Sequence, residues 1–314
     1  MKSVHRSFSF SSKAQFLEKT LIKEGIRLIF LTTFLLMNLV VHQAQLFAQD
    51  PPPNLVEMTT PRLMGMGHAG RGSAQSNHAL ISNPAGLSNG SFYSIEASYF
   101  RSAGELNTLA LNIVDSQNRY NKDRFSLGFA YNHVLQGSDV IAYEGRVGFA
   151  LPLLLNQGFT LLTGGAAKYQ SNDLIQKDGF NLDWGVLMVM EGLQMGLVGE
   201  NLLDEEGGRR FGGGLSLLQR MFTLGVDYMY APDTETQTVY GGLEILLGSQ
   251  WILRGGYETQ IESSLFNWVS GGVGLNGLAG QGGSQSLSSL NLAYRRNLET
   301  DEFIFGINWG LLLK

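Results

Sequence analysis

From residue 91 to the end of the chain, apolar and polar side chains alternate with a period of two, the mark of strands with two unlike faces. Phe180, Leu182, Trp184, Val186, Met188 and Met190 lie on one face, and Asn181, Asp183, Gly185 and Glu191 on the other. Ile141, Tyr143, Val147, Phe149 and Leu151 oppose Ala142, Glu144, Arg146 and Gly148. Phe222, Leu224, Val226, Tyr228 and Tyr230 oppose Thr223, Gly225 and Asp227. A final run carries Phe303, Phe305, Ile307, Trp309, Leu311 and Leu313 on one side. The pattern predicts about fourteen strands: 91–100, 106–114, 124–133, 140–150, 158–170, 180–190, 193–201, 211–218, 221–230, 237–247, 250–258, 267–276, 287–295 and 302–313. Most approach the ~9–11 residues with which a tilted strand crosses a bilayer.

The connections add independent information. Very tight turns at 191–192, 219–220 and 248–249 follow the sixth, eighth and tenth segments. The intervening loops at 202–210, 231–236 and 259–266 are longer and more polar. Short turns at one end and longer loops at the other are the arrangement of an outer-membrane barrel. The connections at 114–123 and 277–286 depart from that rule.

A soluble sandwich also alternates, but its polar faces meet water and carry many Lys, Glu and Thr. Here the polar face is mostly Gly, Ala, Ser and Asn with scattered charges, and the apolar face is large and rich in aromatics. The reading is an all-β chain, a transmembrane antiparallel β-barrel of about 14 strands with an N-terminal plug segment. Closure pairs every backbone donor and acceptor, which lipid demands.

Upstream, Lys2, Arg6, Lys13, Lys19, Lys23 and Arg27 precede a 14-residue apolar run at 28–41, and Leu46-Phe47-Ala48 follows. A basic region, a short apolar core and a small residue at the cut describe a secretory signal peptide. The run is short for a membrane-spanning helix, which needs ~20 apolar residues. The expected organisation is 1–48 signal peptide, 49–90 periplasmic or plug segment, and 91–314 outer-membrane barrel. Removing the leader takes away six of 22 Lys/Arg and two of 27 Asp/Glu, and leaves a net charge of −9. That acidity argues against nucleic acid, whose phosphates need a basic surface. The chain has no cysteine, which excludes a disulfide framework, Cys-ligated metals and a lipidated Cys anchor. The expected surroundings are outer-membrane lipid.

Between leader and strands lies 64–88, MGMGHAGRGSAQSNHALISNPAGLS, which holds no Asp, Glu or Lys. Gly65-Met66-Gly67-His68-Ala69-Gly70 fits G-x-G-x-x-G, but no strand precedes it and no βαβ unit follows. Gly86-Leu87-Ser88-Asn89-Gly90 fits G-x-S-x-G, but it leads into a strand where a nucleophile elbow needs a helix. His68, His78 and His133 lack the spacing of a metal site. No cofactor, metal or enzyme activity is expected. The inward charges Glu144, Arg146, Lys168, Asp183, Glu200, Asp227, Glu244 and Arg254 read as a lumenal network, because buried charges need partners. A second reading makes them a lining that biases what passes.

Gly65-Met66-Gly67-x-Ala69-x-x-Gly72-x-Ala74 followed by Asn83-Pro84-Ala85 resembles the N-terminal hatch of FadL-type outer-membrane fatty-acid transporters. Gly241-Gly242-Leu243-Glu244 and Trp251-Ile252-Leu253-Arg254-Gly255-Gly256-Tyr257 resemble the smaller PorV/PorQ-like branch of that superfamily. The resemblance implies a fourteen-stranded barrel with an internal plug, in which Gly65, Gly67, Ala69, Asn83, Pro84 and Ala85 serve as plug residues. In the transporter branch it implies binding or transport of fatty-acid-like hydrophobic molecules. The outer loops here are short for that branch. The PorV-like alternative implies a non-transporting accessory barrel with secretion or cell-envelope partners.

Overall fold

The computed structural model describes residues 59–102, 106–117, 125–173, 177–204, 208–261, 263, 266–279, 286–300 and 302–313. The expected signal peptide, 1–48, lies outside them. The described residues form fourteen antiparallel strands: β1 Tyr93–Ser102, β2 Leu106–Asp115, β3 Ser126–Gln136, β4 Asp139–Asn156, β5 Phe159–Asn172, β6 Lys177–Met190, β7 Leu193–Glu200, β8 Arg210–Leu218, β9 Phe222–Ala231, β10 Thr236–Leu247, β11 Trp251–Gln260, β12 Asn267–Ala279, β13 Ser286–Asn297 and β14 Phe303–Leu313. Each pairs with its sequence neighbours, and β1 pairs with β14 from Tyr93↔Leu313 to Ser102↔Ile304, closing the barrel.

The alternation read from the sequence sorts the two faces of the wall. Asn181, Asp183 and Gly185 are buried inside, while Phe180 (57% exposed) and Trp184 (46%) point outward. Leu197 (68%), Val147 (56%) and Trp309 (52%) belong to the same outer surface. So large an apolar surface is stable only against lipid. Tyrosines crowd one rim: Tyr99, Tyr228 and Tyr257 sit near strand ends and donate their hydroxyls to Asn107, Gln237 and Asn267. An apolar ring with a polar tip suits the membrane–water boundary.

Two expectations need correction. The fourth strand runs 18 residues to Asn156 instead of stopping at 150. Its register with β5 shifts between Pro152 and Leu154. Proline cannot donate to the ladder, and a bulge there lets pairing resume. The stretch Leu151-Pro152-Leu153-Leu154-Leu155 has no alternation, so it carried no strand signal. The short-turn, long-loop rule holds only in part. Gly137 and Ser138 alone join β3 to β4 at the long-loop end, with Gly137 at φ +64.

A wall of eight strands is filled by its own side chains. Fourteen strands 4.7–4.9 Å apart and tilted by 35–45° enclose a lumen roughly 28 Å across between backbones. Residues 60–92 occupy part of that space. Helix α1, Pro61–Gly65, starts where the Thr60 hydroxyl accepts the Leu63 N–H and proline fills the first turn. Helix α2, Ser76–Ser82, follows, and then a 3₁₀ turn, Pro84–Ser88, capped by the Asn83 side chain. Most buried apolar contacts among the described residues lie between this segment and the wall, while a small cluster of Leu106, Val134 and Ala142 belongs to the wall alone. Leu80 and Leu87 pack with Val114, Ala130, Ala150 and Ala166, and Met64 packs with Phe100 and Ala293.

Candidate functional site

The site is the contact between residues 60–90 and the lumenal wall. Its first component is close backbone approach. Inward glycines on six strands each abut the inserted segment. A methyl group added at Gly164 would lie 2.7 Å from the Pro84 carbonyl oxygen, and one at Gly214 2.7 Å from the Gly72 nitrogen. One at Gly185 would overlap Asn83 Oδ1, and one at Gly196 the Arg71 carbonyl. At Gly242 and Gly256 it would overlap the Met66 carbonyl and the Gly67 nitrogen. From the plug side, Gly67 adopts φ +57 with Tyr257 backbone where a Cβ would sit, so no other residue fits without displacement. Gly65 rests on Arg254 and Gly272, and Gly72 on the Gly214 carbonyl. Ala69 packs with Val198 and Met229, and Ala85 with Leu162 and Leu187.

The second component is one side chain. Asn83 is fully buried. Its Oδ1 accepts the Ala85 N–H at 3.2 Å, which starts the 3₁₀ turn with Pro84 in first position. Its Nδ2 donates to the Arg71 carbonyl of the plug and to the Val186 carbonyl of β6, both at 3.2 Å. Asn83 therefore ties two arms of the plug to each other and to the wall. Ala74 completes this knot: its carbonyl accepts from Asn89 Nδ2 at 3.0 Å.

The third component is charge. Arg71 donates to Glu200 Oε1 from Nε at 3.2 Å and from Nη2 at 3.1 Å, and lies over the Tyr240 ring. Asp227 Oδ2 accepts the N–H groups of Gly70 and Arg71 at 2.8 and 2.7 Å. Arg210 takes the second Glu200 oxygen at 2.7 Å. Arg62 and Arg254 share Glu244 Oε2 at 3.0 and 2.7 Å. His68 Nδ1 meets Glu258 at 2.8 Å. On the other flank Arg146 pairs with Glu144 at 2.8 Å and Asp183 at 3.2 Å, and Lys168 reaches Asp183 at 2.8 Å. Arg146 also donates to the Leu80 carbonyl at 2.9 Å, satisfying the C-terminal end of α2.

The structure thus brings Glu144, Arg146, Lys168 and Asp183 into one cluster. It places Glu200 with Asp227, and Glu244 with Arg254, in two others. Sequence reasoning missed the partners from the plug: Arg62, His68, Arg71 and His78. A signal existed. Glu200 and Asp227 put acidic charge on lumenal positions of β7 and β9, and Arg71 is the one basic residue other than histidine in 64–88. His78 Nε2 accepts from Arg62 at 2.6 Å and from the Gln75 N–H at 3.2 Å. Burial, and then the Arg62 charge, hold its imidazole well below the usual histidine range. Ser88 donates to Ser126 Oγ at 3.0 Å, a plug-to-wall bond, and His133 lies beside Tyr131 on β3. Among the described residues no group of three His, Asp or Glu is placed to hold a metal ion.

No protein-family model matches the chain, and no curated protein matches it in sequence. Solved structures do. The Pseudomonas putida toluene transporter TodX aligns over 82% of this chain and 98% of its own, with 10% identity and a TM-score of 0.52. The Ralstonia pickettii toluene transporter TbuX aligns over 83% and 98% at 12% identity with a TM-score of 0.48. A Pseudomonas aeruginosa FadL homologue aligns over 82% and 98% at 10% identity with a TM-score of 0.49. At such identities the likeness to TodX speaks for the fold alone: this chain is a bacterial outer-membrane β-barrel.

Proposed function

We propose that the protein is a gated outer-membrane conduit for small hydrophobic molecules, closed at rest by residues 60–90, of the FadL-type kind. The observation that carries this reading is the polar seating of the plug. Arg62, His68, Arg71 and Asn83 hold it through ion pairs and hydrogen bonds that water can replace in an opened lumen. The fold shared with the toluene transporter TodX is in keeping with it.

A second reading is a PorV/PorQ-like accessory barrel that transports nothing and serves secretion or envelope partners. The glycine interlock favours it, because backbone seated on backbone across six strands makes the plug part of the wall.

Deleting 61–87 tests the plug. The expected barrel stays folded, shifting on a gel with heating, and leaks. A folded deletion mutant with unchanged permeability would sink the gate. Extracting the full chain in detergent separates the two readings. A co-purifying lipid-like molecule whose binding saturates supports transport, and a stoichiometric protein partner with no bound lipid supports the accessory reading.

A further inference from the structure

The outer face of the wall is apolar along most of its strands. Of the described strand residues that point toward lipid, only Arg101 on β1 and Arg296 on β13 are lysine or arginine. Each alternates with a lumenal neighbour: Phe100 packs inside with Met64, and Arg295 lies inside over the Trp268 ring. Successive strand residues point to opposite faces, so Arg101 and Arg296 face outward, and both are exposed.

Register places them relative to each other. Strand β14 lies between them. Arg101 faces Phe305, Phe305 faces Tyr294, and Arg296 stands two residues beyond Tyr294, facing Phe303. Two strand spacings and two residue steps put the arginine Cα atoms about 12 Å apart. Phe303 and Phe305, both 38% exposed, stand on the strand between. Phe303 stacks on Tyr294 with ring centroids 6.2 Å apart. On its other side Arg101 faces Asn107, which is neutral.

Height says what the arginines meet. Each stands two residues past a tyrosine of its own strand, Tyr99 or Tyr294, toward the long-loop end. Two residues of a tilted strand rise about 5 Å. Tyrosines mark the membrane–water boundary, so the arginines lie among lipid headgroups. Longer loops face the outside of an outer-membrane barrel, so the leaflet is the outer one. Glu299 and Glu302 belong to the turn beyond Arg296, on the water side. From the lipid side the positive charge is met first.

The guanidinium fork matches phosphate through paired, charge-assisted hydrogen bonds. A single cation would take any anionic headgroup. Two of them, held apart by a strand that offers aromatic rings, suit a lipid whose two phosphates sit at opposite ends of two linked sugar rings. Its acyl chains would descend along Ile307 and Trp309 of β14, and Trp309 is 52% exposed.

We infer that β13, β14 and β1 present a binding site for a diphosphorylated glycolipid of the outer leaflet, in which Arg101 and Arg296 each hold one phosphate. The site rests on the outer-membrane barrel and its register alone, and it stands or falls apart from the gate.

The test is native mass spectrometry of the full chain in detergent, with folding checked by the heat-induced gel shift. The probes are a diphosphorylated acyl-disaccharide lipid, the same lipid with one phosphate removed, and inorganic phosphate. The wild type is expected to bind one diphosphorylated lipid at least about tenfold more tightly than the monophosphorylated form, the worth of one charge-assisted contact. Arg101→Gln and Arg296→Gln are each expected to abolish that preference. Arg209→Gln, elsewhere on the same rim where Arg209 pairs with Asp233 at 2.7 Å, is expected to keep it. Equal binding of the two lipids by the wild type, or an undiminished preference in both variants, overturns the site. Displacement of the lipid by millimolar phosphate marks a plain anion site and overturns the lipid as occupant. A stoichiometric protein partner lost from both variants assigns the face to protein and does the same. Should a variant fail to fold, the wild-type preference between the two lipids decides.

Discussion

The lumenal wall has two sides, and they meet the plug in different ways. On β5 to β11 the inward positions at plug level are glycines, and the plug backbone lies against the wall backbone. On β13 to β3 the inward positions mix Asn, Ser and Glu with apolar Ala293, Phe100, Val114 and Ala130, and the plug meets them with the side chains of Met64, Leu80 and Leu87 and with the bonds of Asn77 to Ser94 and Ser88 to Ser126. The glycine side anchors Arg71, Asn83 and Gly67. The asparagine side gathers buried polar atoms without a protein partner at Glu96, Asn112, Asn132 and Asn308, and the glycine side has fewer, Arg210 Nε, Ser216 Oγ and Asp227 Oδ1. In the gate proposed above, the side of close backbone contact would serve as the hinge and the side of side-chain contact as the flank that releases.

Breaking the strongest contact of the glycine side should have the largest effect. Arg71→Ala leaves Asp227 with only backbone donors from the plug and Glu200 with Arg210. Removing one member of a buried charge set costs about 3–5 kcal/mol. The variant is expected to keep a heat-modifiable barrel while the conductance of reconstituted protein rises sharply. Wild-type conductance would show that the charge cluster does not hold the plug.

Gly196→Val attacks the same side through shape. Its side chain would occupy the place of the Arg71 carbonyl and the Asn83 amide. Overpacking of that kind costs about 1–3 kcal/mol. Faster hydrogen exchange at 66–85 is expected, with strand amides unchanged. A valine at the outward position of Leu197 serves as the control.

A pH dependence sharpens the comparison at its border, where His78 links Arg62 to α2. Its folded-state pKa is lowered, so the undocked plug takes up the proton more readily. Docking strength is then complete above about pH 6.5, the usual histidine value, and falls as pH drops below it, by about 1.4 kcal/mol per unit until the folded pKa is reached. Plug exchange rates corrected for intrinsic chemistry should rise between neutral and mildly acidic pH, and His78→Gln should flatten that rise. Equal slopes in both proteins would remove His78 as the cause.

The smallest effect belongs to the polar flank. Asn77→Ala removes one neutral hydrogen bond to Ser94, a loss of about 1 kcal/mol. Its conductance should stay near wild type, and a change as large as that of Arg71→Ala would erase the distinction between the two sides.

The strands were legible because their signal is local. Successive residues of a strand point to opposite faces, so Asp183 between Leu182 and Trp184 declares its own side. Where that alternation failed, at Leu151-Pro152-Leu153-Leu154-Leu155, the end of β4 was invisible. In the plug, the glycines and Asn83-Pro84-Ala85 stood out by type, yet their roles did not. Gly67 abuts Tyr257, and Asn83 reaches Val186, more than 100 residues away. No periodicity links such positions.

By itself the sequence determined the wall: number of strands, inner and outer faces, and the closure that lipid requires of unpaired backbone. It also determined that charges would line the lumen, since charged side chains alternating with apolar ones have no other place to go. Only the tertiary structure decided which charges meet. Arg71 finds Glu200, Arg62 finds Glu244 and His68 finds Glu258 because an irregular segment threads a particular path through a closed cylinder. That path is set by where the wall glycines let a backbone approach, a condition that depends on residues from six strands at once.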